Sequence, residues 1–242
     1  MDGSGYSLSD YSCRGHDSPR PEESRSFELV FVRRGMFVVD MDDDEIVLTP
    51  NEVWYLTPGT RFRIRHPQKR GDECTILRIT TALRDDYPSA KPRKAPASNH
   101  LFELHTRLRA SARSGEAEAL GSEEMARAIL DEMSHGPASP RVKPSHKRLV
   151  RDAQQLLAAR FTEKLTLADI ARAVGSSGYH LARIFRQATG ESLHGYRTKL
   201  RLREALGRIA GGERDLAALA LDAGFCDQSH FTNAFRRAFG VT

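Results

Sequence analysis

Hydrophobic positions in this chain follow two different rhythms. From Phe27 to Thr81 they come in short runs (FELVFVRR, MFVVDM, EIVL, VWYL, RFRIRH and CTILRIT) rich in Val, Ile, Phe and Tyr. Turn residues divide these runs at Gly35, Asp42 to Asp44, Pro50-Asn51, Pro58-Gly59 and Gly71-Asp72. Apolar runs bounded by such breakers read as strands. About six of them at this spacing predict a small antiparallel β-barrel or sandwich. Further on the period lengthens to three and four. Leu101, Leu104, His105 and Leu108 share one face of a helix predicted over 99–113. Met125, Ile129 and Met133 do so in a second, over 116–134, with Ser122 beside Glu123 and Glu124 as its local start. Two proline-bearing polar stretches, PSAKPRKAPAS (88–98) and GPASPRVKPSH (136–146), read as linkers. Residues 1–25, dominated by Ser, Gly, Asp and Pro without a period, read as disordered.

The helical rhythm then repeats itself. Leu167 to Gly190 (LADIARAVGSSGYHLARIFRQATG) and Leu216 to Gly240 (LAALALDAGFCDQSHFTNAFRRAFG) share one plan: apolar helix, glycine, polar turn, second apolar helix, glycine. In the first copy Leu167, Ile170, Ala171 and Val174 form one stripe, and Leu181, Ile184, Phe185 and Ala188 the next. The second copy offers Leu216, Leu219, Ala220 and Ala223, then Phe231, Ala234, Phe235 and Ala238. Thr166 with Asp169 matches a capping box, and Ser177, Ser192 and Asp227 are suitable N-caps. Gly175, Gly190, Gly224 and Gly240 stand where helices end in a left-handed residue. Helix–turn–helix is the unit that lays a helix in the DNA major groove. Between the copies, Leu193 to Ala210 predicts a connecting helix spanning about 26 Å. With packing at each end, the two second helices should sit on the order of 34 Å apart, one turn of DNA.

The faces opposite the stripes carry the chemistry. The first presents Tyr179, Ala182, Arg183 and Arg186; the second presents Ser229, Thr232, Asn233 and Arg236, with Gln228 and His230 beside them. Arg reads guanine, Asn or Gln reads adenine, and Ser or Thr reads either. Residues in the first turns suit bases, whereas Arg186, Arg236 and Arg237 lie further along and suit phosphates. Each has a plainer account: Tyr179 covering a helix end, His180 and His230 satisfied within the fold, any single arginine merely solvated. Two matched faces are harder to explain that way.

Charge agrees with this division. The net charge is +5, yet residues 146–242 hold 16 Lys+Arg against 9 Asp+Glu, and the rest of the chain is slightly acidic. Only the C-terminal part suits a polyanion. In the connecting helix Arg197, Lys199, Arg201 and Arg203 are basic, as a DNA-facing or a merely solvated surface would be. No apolar run reaches the roughly 18 residues of a membrane span, and nothing at the N-terminus resembles a signal peptide. Cys13, Cys74 and Cys226 are too widely spaced for a disulfide framework or a zinc motif. A reduced, cytoplasmic protein follows. Cys226, in the second turn, is read as an inert thiol.

The last hundred residues resemble the C-terminal domain of AraC/XylS-type transcriptional regulators. GFCDQSHFTNAFRRAFGVT carries the most specific part, similar to the family's Gly-Phe, polar turn, Ser-x-Phe, Phe-Arg/Lys and Phe-Gly-Val signature. YRTKLRLREA is similar to its connecting helix. The resemblance implies base contacts by Tyr179, Ala182 and Arg183 in the first module and by Gln228, Ser229, His230 and Asn233 in the second. Ala182 departs from that pattern, offering only a methyl for thymine. The family pattern continues with Pro-x-x-Tyr-Arg, whereas the sequence stops at Thr242, which leaves the second module the less supported. The N-terminal β region is similar to the family's cupin-like sensor half, and RHPQKRGDECTILRI (65–79) to an HP…GGD-x-CT segment of some members.

The expected fold class is therefore α+β and multidomain. Its parts are a disordered segment (1–25), a cupin-like β sensor (26–87), helices suited to dimerisation (98–135), a linker (136–146) and an all-α DNA-binding domain of two modules joined by a helix (147–242). Double-stranded DNA is the expected partner, with RNA polymerase, a small-molecule effector and a second copy of the chain implied by the resemblance. Activation is the expected mode of regulation. Trp54, Tyr55 and His66 are candidates for an effector pocket, with Asp72 and Cys74 beside His66, although a core position accounts for the first two equally and a turn is the favoured account of His66-Pro67 and Gly71-Asp72. The cupin metal set of His-x-His, Glu and His is absent, so no metal, cofactor or catalytic residue is expected. A cupin-type metal enzyme with a DNA-binding tail and a non-specific nucleoid-type binder are the rival readings.

Overall fold

The computed structural model describes residues 5–41, 44–67, 69, 71–80, 83, 93–114, 119–135 and 143–240. The chain divides into two compact units, Met1–Ala138 and Ser139–Thr242.

The first unit is built on two antiparallel sheets. Its strands are β1 (Tyr6–Cys13), β2 (Glu22–Glu23), β3 (Phe27–Arg34), β4 (Phe37–Met41), β5 (Asp44–Leu48), β6 (Glu52–Leu56), β7 (Arg61–Arg65), β8 (Asp72–Ile79) and β9 (Arg93–Pro96). They are ordered β1-β8-β3-β6-β9 and β2-β7-β4-β5. The six runs read from the sequence are β3 to β8. Alternation along each strand places Val30, Val32, Trp54, Leu56 and Cys74 of the first sheet against Phe37, Val39, Leu48 and Phe62 of the second. The intervening residues Phe27, Leu29, Phe31, Val53, Leu77 and Ile79 face away, onto two helices. With both faces covered, these strands read as continuous apolar runs rather than as a polar–apolar alternation.

Those helices are α1 (Asn99–Ser114) and α2 (Ala119–His135). Leu101, Leu104 and Leu108 pack with Ala126, Ile129, Leu130 and Met133 on the sheet. The apolar stripes of both helices are thus occupied inside one chain. Ser122 does not start α2; it is buried within the helix, its hydroxyl 3.3 Å from that of Ser111.

Residues 1–25 are not uniformly disordered, as expected from composition. β1 pairs along its whole length with β8, from Tyr6 opposite Ile79 to Cys13 opposite Asp72. Serines dilute its signal, but Tyr6 is buried and Leu8 packs two residues on against the same core. β9 falls within the stretch read as a linker from 88 to 98. It pairs with β6, placing Ala95 opposite Val53 in the core; residues 88–92 lie outside the described ones. Of the second expected linker, 136–142 lie outside them too, and Pro144 already opens a helix.

The second unit is all helical: α3 (Pro144–Arg160), α4 (Leu167–Ala173), α5 (Gly178–Thr189), α6 (Leu193–Ala210), α7 (Leu216–Asp222) and α8 (Gln228–Phe239). The expected caps form. Thr166 and Asp169 make a reciprocal capping box on α4, and Ser177, Ser192 and Asp227 accept from the third residue of α5, α6 and α8. Gly175, Gly190, Gly224 and Gly240 all adopt positive φ. Only the α4 stripe departs from its pattern. Ile170 and Ala171 are buried, but Leu167 is 44% exposed, because it is the first residue of a seven-residue helix and projects from its end. In the second module Leu219, Ala220, Phe231, Phe235 and Phe239 close over Leu202 and Ala205 of α6.

Candidate functional site

The outward faces of α5 and α8 are free of the core. Tyr179 is 82% exposed and therefore covers no helix end. Arg183 and Arg186 are exposed beside it, and Ala182 is half-buried, bordering a shallow groove with Leu167 and His194. On α8, Gln228, Ser229, His230, Asn233, Arg236 and Arg237 are all exposed. His230 rests edge-on against Phe225 at 5.3 Å, while His180 meets His146 at 5.7 Å. Capping fixes where these side chains stand: the Asp227 carboxylate accepts from the His230 amide at 2.7 Å. Several other basic residues are paired elsewhere. Arg160 pairs with Glu163, Arg172 with Asp169, and Arg208 with Glu213 and Asp222. The exposed arginines of α5 and α8 stand beside exposed polar and aromatic side chains.

The connecting helix behaves differently from expectation. Arg201 and Arg203 are buried, not solvated or DNA-facing. Arg201 donates from Nε to the carbonyl of Phe161 at 2.6 Å and from Nη2 to that of Glu163 at 3.1 Å. Arg197 donates to the carbonyl of Leu165 at 2.8 Å. Burial brings the Arg201 guanidinium down to about 10, with Arg197 adding to the effect. Its guanidinium also lies 5.9 Å from the centroid of Phe225. These two arginines tie the chain after α3 to the connecting helix and to the turn of the second module. Lys199 is taken by an ion pair with Glu191.

Between the two sheets of the first unit lies a cavity of about 500 Å³, within the range of small-molecule sites. Trp54 and His66 line it. Tyr55 does not. As the next residue of β6 it points to the opposite face, packing near Phe27 over the helices. His66 both follows β7 in the turn and lines the cavity, so its two readings hold together. Trp54 stands edge-on to Phe62 at 4.9 Å. Its Nε1 and the Nδ1 of His66 are buried with no hydrogen-bond partner among the described residues. Such atoms are costly to leave unmatched and are what a polar group of a ligand would satisfy.

At one end of the cavity His66 Nε2 meets Asp72 Oδ1 at 2.6 Å, and the Cys74 thiol donates to Asp72 Oδ2 at 2.9 Å. Burial, reinforced by Asp72, pushes the Cys74 thiol well up. Cys13 joins this group from the end of β1, and His16 lines the same cavity. Sequence reading missed both, because the strand that delivers them was hidden among serines.

Comparison with known proteins agrees with both halves. A helix-turn-helix domain family matches residues 170–242, and an AraC-binding-like domain family matches residues 2–161. The chain is 32% identical over 180 residues to the HTH-type transcriptional regulator ArgR of Pseudomonas aeruginosa, covering 65% of this chain and 53% of that protein. It therefore spans about half the length of that relative. It is 27% identical over 238 residues to the HTH-type transcriptional regulator YbfI of Bacillus subtilis, covering 91% and 84%. Against the regulatory protein SoxS of Escherichia coli it is 30% identical over 98 residues, covering 40% and 92%.

Proposed function

We propose a reading that proceeds from one fact: this chain belongs to the AraC-type family of transcriptional regulators. It binds double-stranded DNA sequence-specifically through α5 and α8, which enter two successive major grooves. The observation that carries this reading is the pair of capped helices with exposed and dissimilar hydrogen-bonding faces. Tyr179, Ala182 and Arg183 meet bases in one groove; Gln228, Ser229, His230 and Asn233 meet them in the next. Arg186, Arg236 and Arg237 hold phosphates. Because the faces differ, the site is asymmetric and one chain reads it.

The first unit senses a small molecule in the cavity lined by Trp54 and His66, whose unmatched nitrogens favour a ligand with hydrogen-bonding groups. Regulation by activation, contact with RNA polymerase and pairing of two chains follow from the family and complete the proposal.

The test is binding at fixed salt to a selected site and to scrambled duplexes, because phosphate contacts alone give similar affinity for all of them. Arg183→Ala should cost roughly 1–3 kcal/mol on the selected site and relax preference at one position. Uniform weakening on every duplex would reduce Arg183 to a phosphate contact. Equal affinity of the unmodified chain for all duplexes would defeat the reading altogether.

A further inference from the structure

Three elements of the first unit end at the same place. β1 finishes at Cys13, β7 is followed by His66, and β8 begins at Asp72. The Cys13 sulfur, a His66 ring nitrogen and an Asp72 carboxylate oxygen all lie within 4.8 Å of one another. The approach is built into the backbone: a Cβ on Gly71 would stand 2.0 Å from the carbonyl oxygen of Cys13, so only glycine lets the two segments meet. Cys74, two residues beyond Asp72 on the same strand, brings a second sulfur 2.9 Å from the Asp72 carboxylate.

We propose that Cys13, His66 and Asp72 form a three-ligand binding site for a divalent transition ion of the zinc class, with a water completing the shell. A thiolate, an imidazole and a carboxylate are a zinc-type set; magnesium and calcium take oxygen ligands. Tetrahedral bonds of about 2.0–2.3 Å place donors roughly 3.3–3.8 Å apart. Seating an ion therefore means parting His66 and Asp72, now 2.6 Å apart in a hydrogen bond, while Cys13 lies within 4.8 Å of both.

Two independent features point to a ligand here. His66 is buried, yet its Nδ1 has no hydrogen-bond partner among the described residues, so the ring retains a group for a further bond. The Gly15 amide donates to the Cys13 sulfur at 3.4 Å, and an N–H directed at sulfur supports negative charge on it. The set is not the cupin one, which the sequence lacks. An ion here would fasten the end of β1 to the β7–β8 turn and fix one wall of the cavity. The inference does not depend on how α5 and α8 meet DNA.

The experiment uses the full chain, purified reduced and stripped of metal by a chelator, then titrated with cobalt(II) alone. The expected result is one equivalent bound, with a thiolate-to-cobalt charge-transfer band and the visible bands of a tetrahedral ion, both displaced by zinc and untouched by magnesium. Cys13→Ser and Asp72→Asn should each weaken binding by at least about 10-fold, the lower bound for loss of even an outer-shell partner, and Cys226→Ser should leave it unchanged. Zinc should also slow alkylation of Cys13 in the unmodified chain while Cys226 keeps its rate, a readout that needs no variant to fold. Absence of a thiolate band, or a Cys13 alkylation rate indifferent to zinc, overturns the site. Binding that survives Cys13→Ser at full strength overturns it as well.

Discussion

Gly175 and Gly224 occupy equivalent turns but answer to different constraints. Both hold positive φ, and a side chain there costs roughly 1–2 kcal/mol from the left-handed backbone alone. At Gly175 a Cβ would meet nothing within 4 Å. At Gly224 it would stand 2.5 Å from the carbonyl oxygen of Thr162 and 2.9 Å from Nη2 of Arg201. Gly175→Ala should therefore lose only the backbone term, whereas Gly224→Ala adds overpacking of about 1–3 kcal/mol. Urea unfolding of both variants, followed by helical circular dichroism, checks the difference; equal losses would mean that the Thr162 approach relaxes freely. The turn role of both glycines is legible in sequence, since each ends an apolar stripe. The close approach is not, because Thr162 lies far upstream and only the fold brings it to Gly224. Arg201 teaches the same lesson. Its charge suggested a solvated or DNA-facing surface, but the carbonyls after α3 take it inward.

Elements were legible where one rule governed them. The caps of α4, α5, α6 and α8 follow from side chains that bond their own backbone three residues on, a strictly local event. Asp227→Ala, which removes the acceptor for the His230 amide, should lower stability by about 1 kcal/mol and loosen the first turn of α8. Binding to the selected duplex should fall further than stability does, because Gln228, Ser229 and His230 stand on that turn. A loss of affinity no larger than that of a distant cap such as Thr166→Ala would separate the cap from recognition. Where two rules compete, sequence reading falters. β1 pairs with β8 although its composition resembles a disordered tail, because the partner strand supplies the ladder that the serines do not encode. Trp54 and Tyr55 are indistinguishable in sequence, yet successive strand residues point to opposite faces, so only Trp54 reaches the cavity. Likewise, His66 and Asp72 are legible as neighbours in sequence, but nothing announces that Cys13 joins them, which depends on β1 being a strand at all.

At the scale of the whole molecule, the two units respond differently to acid. His105 is enclosed in the first, stacked on Phe31 at 4.3 Å, with neither ring nitrogen hydrogen-bonded among the described residues. Burial brings it down to about 3, with Arg33 and Arg109 opposing its charge further and Asp10 favouring it. In the unfolded chain a histidine takes its proton near 6.5. Between those values the unfolded state holds the extra proton, so acid favours unfolding. The contribution is complete above about pH 6.5 and declines below it by up to 1.4 kcal/mol per pH unit. His194 in the second unit is also lowered, by burial and then by Arg197, but it is only partly enclosed and its slope should be shallower. The chain has a single tryptophan, Trp54, which lies in the first unit, so its fluorescence reports that unit alone. Denaturant melts followed at Trp54 should lose about 2 kcal/mol between pH 6.5 and pH 5 on account of His105. His105→Leu keeps the apolar contact with Phe31, has no proton to take up, and leaves no unmatched nitrogen. It should remove that share of the slope while preserving stability at neutral pH. An unchanged slope in the variant would show that the imidazole reaches water in the folded protein, since carboxylates held low, such as Asp10 beside Arg109, lose their contribution only in more acid solution.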